Sequence, residues 1–141
     1  MARIELSLTA ADDVGRSACQ SWAGAVSGSA DACLLLDERG TVVATSASCR
    51  ASLGLPDDID GTGTTLLSSP IRLLNFLAAG GTLPSWDAER VPPLQALKTG
   101  ALARGLIRVS VGDVARTYDV ISTPLHGGTS LAGSLSFLRR C

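Results

Sequence analysis

The chain has 141 residues, of which 45% are hydrophobic but only 4% aromatic, so one domain with an aliphatic core is expected. Twelve Lys+Arg against 13 Asp+Glu leave a formal net charge of −1 and no basic stripe for nucleic acid. No apolar run approaches the ~20 residues of a membrane helix, and the opening MARIELSLTAADD turns acidic where a secretory leader would be apolar.

Residues 3–8 alternate Ile4, Leu6 and Leu8 with Arg3, Glu5 and Ser7, the period of a short strand. Thr9 and Asp12 have capping-box spacing ahead of a helix over residues 10–26. That helix would align Ala11, Val14, Ala18, Trp22 and Ala25 in a narrow stripe, too small to be stable without a second surface. Residues 33–36 are a brief apolar run, 37–40 supply turn residues, and 42–45 form a second short run. Thr45 or Ser46 can cap a helix over 47–53, and Gly54 can end it in the left-handed conformation. Ser69-Pro70 predicts a helix to about Ala79, stopped by Gly80-Gly81, with Leu73, Leu74, Leu77 and Ala78 apolar and Asn75 on the flank. Residues 82–90 read as a loop in which Trp86 plugs a hydrophobic surface, and 93–99 as a short helix stopped by Gly100.

Three antiparallel strands are expected next. Residues 106–111 alternate, and Gly112-Asp113 is a hairpin turn. In 115–123, Tyr118, Val120 and Ser122 share one face, with Ile121 and its neighbours on the other. Residues 124–129 read as a turn around His126. In 130–139, Leu138 and Ala132 are placed on the Ile121 face and Phe137 on the Tyr118 face.

An apolar strand, Asp37-Glu38-Arg39-Gly40, a second strand and a helix ending in Leu53-Gly54 together resemble the opening of a PAS domain. The resemblance covers roughly Ser29–Arg139 and divides the chain into an N-terminal strand and helix extension, 1–28, for capping or dimerisation, and a PAS-like domain, 29–141. It implies an α+β fold: a five-stranded antiparallel sheet with short helices on one face and an extra N-terminal helix. It departs from the family pattern at Thr45-Ser46, where a hallmark asparagine often stands, and at Arg139-Arg140-Cys141, which replaces Asp-x-Thr. The function it implies is a bacterial, cytoplasmic sensory and protein-interaction module, not an enzyme. Such a module would form a homodimer, engage a protein partner or effector domain, and accept a small apolar ligand if it binds one. The rivals are a ligand-free dimerisation module, a small enzyme on an α+β scaffold, and a GAF- or profilin-like structural fold.

No cofactor is expected. His126 lies in a turn, so it would not project from a helix as a haem ligand. Cys49 lies in the first small helix without the asparagine context of a flavin-adduct cysteine. The four cysteines, Cys19, Cys33, Cys49 and Cys141, form no C-x-x-C pair and read as small hydrophobes, not zinc ligands. Asp57, Asp58 and Asp60 read as capping and solvated residues. Asn75, Tyr118 and Ser122 are the candidate ligand-binding groups, either lining an apolar cavity or satisfied within a filled core, the filled core being favoured. Val14, Ala18, Trp22, Ile121 and Leu138 are the candidate cap or dimer interface, in cis or between two copies.

Overall fold

The computed structural model describes residues 10–56, 61–68, 71–76, 81, 83 and 88–141, with side chains from Cys19 onward. The expected strand over 3–8, the Thr9 cap, the Asp57–Asp60 cluster and Trp86 lie outside the described residues, as do the side chains of Val14 and Ala18.

The elements in chain order are α1 (Ala10–Ser27), β1 (Cys33–Asp37), β2 (Val42–Thr45), α2 (Ala47–Leu53), β3 (Leu73–Leu74), α3 (Pro92–Thr99), β4 (Ala103–Val111), β5 (Val114–Gly127) and β6 (Ser130–Arg140). Among the described residues the strands form one antiparallel sheet in the order β2-β1-β6-β5-β4-β3. This is the expected α+β fold with six strands where five were expected.

Local chemistry explains the first half. The Asp37 carboxylate accepts from the N–H groups of Arg39 (2.9 Å) and Thr41 (3.0 Å), and Gly40 closes the turn at φ 81°. Ser46 caps α2 by accepting from Cys49 N–H at 3.2 Å, and Gly54 ends it at φ 74°. The same Ser46 hydroxyl also accepts from Cys33 N–H at 3.0 Å and donates to the Asp31 carbonyl at 2.6 Å. One side chain therefore ties the start of α2 to the start of β1.

The helix expected from Ser69-Pro70 is not formed at Leu73–Leu74, which make the edge strand β3 instead. Leu73 pairs with Val109 and Leu74 with Arg108, and on the other side Leu83 N–H bonds to Leu73 O and Asn75 N–H to Gly81 O. Hydrogen bonding on both flanks and burial of both leucines outweigh the local helix-start signal. The turn expected over 124–129 is shorter than expected. A register shift between Leu125 and His126 carries the ladder on to Gly127↔Ser130, so the reversal is confined to Gly128-Thr129.

The sheet has two covered faces. On the inner face, Leu34, Leu36, Val109, Tyr118, Val120 and Leu138 pack with Cys49 and Leu53 of α2 and with the partly buried Leu94 and Leu97 of α3. On the outer face, Val26 of α1 packs on Cys33, Leu35, Ala44 and Leu135. The helix thus covers its own sheet, and the Cys19 thiol donates to Ala132 O at 3.1 Å.

Candidate functional site

Paired residues in an antiparallel ladder project from the same face. Val120↔Leu138 and Ser122↔Ser136 therefore share the inner face, whereas Ile121↔Phe137 share the outer one. This corrects two expectations: Leu138 points inward with Tyr118 and Val120, and Phe137 points outward with Ile121. Alternation within β6 holds, but the set with the small Ser134 and Ser136 faces inward beneath α3 and the set with Leu135 and Phe137 faces outward.

Tyr118 and Ser122 are both buried on the inner face. The Ser122 and Ser136 hydroxyls are 2.6 Å apart, and Ser134 Oγ donates to Pro93 O at 3.0 Å. These small buried residues, with Gly105, let α3 lie directly on the sheet: a Cβ at Gly105 would reach Pro92 Cγ at 3.4 Å. Asn75 is not brought to them. It follows β3 at the sheet edge, where its carbonyl accepts from Arg108 Nη1 at 3.3 Å.

The interior cavity among the described residues is about 10 Å³, room for roughly one water. Its wall is apolar and includes Leu34, Leu53, Leu66, Ile107, Val120 and Leu138. Tyr118, Ser122 and Asn75 are not part of it. A wider recess of about 480 Å³ opens on the surface between the β1–β2 turn and α3, floored by Leu66, Leu94 and Leu97. Its rim carries Glu38 and Arg39 together with the Lys98–Glu89 ion pair at 2.9 Å, so neither sign of charge prevails.

The outer face is different. α1 covers its β1 side, while Trp22 (43% exposed), Leu106 (53%), Ile121 (38%) and Phe137 (43%) stay open to solvent. Beside them Arg104 grips Asp119 through Nε–Oδ1 (3.3 Å) and Nη2–Oδ2 (2.7 Å), which holds the Asp119 carboxyl below its ordinary range. Leu106 and Phe137 escaped the sequence reading of this surface, Phe137 because of the misplaced face. The Leu106–Asp119 pairing that brings Leu106 to this face follows from the β4–β5 hairpin register.

The sequence matches no protein-family model and no curated protein. Solved structures do resemble the fold. A PAS domain from Colwellia psychrerythraea superposes with a TM-score of 0.58 at 17% identity, covering 86% of this chain and 95% of that one. The PAS domain of an HTR-like protein from Haloarcula marismortui gives 0.56 at 16% identity over 100% of both chains. The Vibrio cholerae VqmA dimer, described as a DNA-binding LuxR-type receptor, gives 0.60 at 13% identity over 86% of this chain and 51% of that one. The fold of this chain is the PAS fold.

Proposed function

We propose that this chain is a sensory and protein-interaction module of a bacterial regulatory system, cytoplasmic and without catalysis of its own, that acts as a homodimer. The observation that carries this reading is the outer face, where Leu106, Ile121 and Phe137 form a solvent-exposed apolar surface beside α1, whose own Trp22 is also exposed. Burying that surface against its counterpart in a second copy is favourable in proportion to the apolar area removed from water. Because α1 lies across β1, β2, β5 and β6, a partner that binds one arrangement of α1 better than another shifts the population between them. The likeness to VqmA, a dimer, supports the reading, although this chain spans about half of that protein.

A second reading uses the same surface without any ligand. The observation that favours it is the small interior cavity, about 10 Å³ among the described residues.

Sedimentation velocity across a concentration series tests the dimer. The wild-type chain is expected to sediment as a dimer, and Phe137→Glu and Ile121→Glu to sediment as monomers with unchanged far-ultraviolet circular dichroism. A monomeric wild type, or a dimer that tolerates both charges, would reject the outer face as the interface.

A further inference from the structure

Arg116 presents a polar atom with no partner. Among the described residues, its Nε is the one buried side-chain nitrogen or oxygen without a hydrogen bond. The ion pairs among those residues, Lys98–Glu89 and Arg104–Asp119, do not involve it. Burying such a donor without an acceptor costs about 1–3 kcal/mol, and each case asks for an explanation.

Register fixes the direction of the side chain. Arg116 pairs with the fully buried Val109, and Tyr118 pairs with Ile107 on one side and Arg140 on the other. Arg116, Tyr118 and Arg140 therefore all project from the inner face, at the corner where β5 outruns the end of β6. Arg140 is the diagonal neighbour of Arg116, with Cβ atoms about 7 Å apart for such a pair. It is exposed, and it too takes no part in either ion pair. Two guanidiniums at one corner repel each other, and one of them is partly stripped of water. Sequences keep arrangements that lower stability where function needs them.

An oxyanion at this corner resolves both conflicts. Once the half-buried side chain turns to present its Nε–H, which is closed to solvent in this structure, the anion accepts it together with a parallel Nη–H in the bidentate geometry of arginine, and it screens Arg116 from Arg140. We infer that the Arg116–Arg140 corner of the inner face binds the phosphate or carboxylate group of a small ligand. Arg116 is the anchor and Arg140 the outer, solvent-facing contact. The site is independent of the outer-face dimer, so either can fail without the other.

Two-dimensional 1H–15N NMR of the whole chain tests this, with inorganic phosphate and malonate titrated separately at ionic strength held constant by chloride. Saturable shifts are expected for the amides of Arg116, Thr117, Tyr118 and Arg140. Arg116→Gln should weaken binding by about tenfold to a hundredfold, the loss of one or two charge-assisted hydrogen bonds. Arg140→Gln should weaken it less. In buffer without either anion, Arg116→Gln should melt no lower than the wild type, because it removes a half-buried guanidinium whose Nε has no hydrogen bond. Shifts that do not saturate, or an affinity unchanged in Arg116→Gln, overturn the site. So does a lower melting temperature of Arg116→Gln without anion, which would make Arg116 a structural residue. Saturation by phosphate alone assigns a phosphate-bearing ligand, and by malonate alone a carboxylate.

Discussion

The Cys49 thiol is fully enclosed one turn into α2, and burial pushes its pKa from the ordinary 9.0 up to about 12, with Cys33 adding to the rise and Arg50 opposing it. Cys19 is shifted the same way, by burial and then by Glu38 and Asp37. A thiol raised on folding is neutral in both states below about pH 9, so its contribution to stability is fully present there. Above that the unfolded chain loses its proton first, and the contribution drains away as the pH climbs towards 12. Urea unfolding of the wild type should therefore show stability falling between about pH 8 and about pH 10.5, with a shallower fall in Cys49→Ala. Equal slopes in the two proteins would mean that the Cys49 thiol is solvated. Ser46 shows how far a single residue can be read from sequence. Its capping role follows from its place before residues 47–53, but its bonds to Cys33 N–H and Asp31 O depend on β1 and β2 being brought together.

At the scale of elements, glycine marks where two strands approach most closely. Gly133 of β6 pairs with Asp37, and a Cβ built there would collide with the carbonyl oxygen of Leu36. The obstacle is backbone, so no side-chain adjustment relieves it and β1 would have to part from β6. Gly133→Ala should cost about 3 kcal/mol in chemical denaturation. Gly24→Ala, inside α1 where an added Cβ meets nothing within 4 Å, should instead stabilise by up to about 1 kcal/mol. A Gly133→Ala protein as stable as the wild type would show that the β1–β6 spacing relaxes easily. The β1–turn–β2–α2 unit was legible because its signals are local: Asp37 bonding its own turn, Ser46 at the cap, Gly40 and Gly54 at positive φ. β3 was not, because Leu73 and Leu74 become a strand only when Val109 and Arg108 are beside them. The face of Leu138 depends on tertiary packing too: the β6 set with the small Ser134 and Ser136 turns inward because α3 lies on it, and Leu138 goes with that set. Of the candidate ligand groups, alternation joined Tyr118 to Ser122 on one face, while Asn75 was placed on a helix that is absent over the described residues 71–76.

Taken whole, the fold invests its two faces differently. The inner face is closed by bringing α3 down onto Ser122, Ser134, Ser136 and Gly105, small residues that leave about 10 Å³ of apolar space. A ligand of ordinary size needs some 300 Å³ or more, so in this cavity among the described residues one could fit only if a wall moved, as when α3 lifts away and breaks the Ser134–Pro93 bond. The outer face is open and apolar. These facts separate the sensor from the ligand-free module through one consequence. A chain whose interior stays shut should leave purification with nothing inside it. Native mass spectrometry beside a denatured sample is expected to give the chain's own mass, or twice that mass for the dimer, with no component lost on denaturation. Added mass that disappears on denaturation would mean that α3 opens in solution, and it would move apolar-ligand sensing to the inner face. The Ser134→Ala protein refines the result. Freed of its bond to Pro93, α3 should lift more readily, so a ligand retained by this variant and not by the wild type would identify that hydroxyl as the latch.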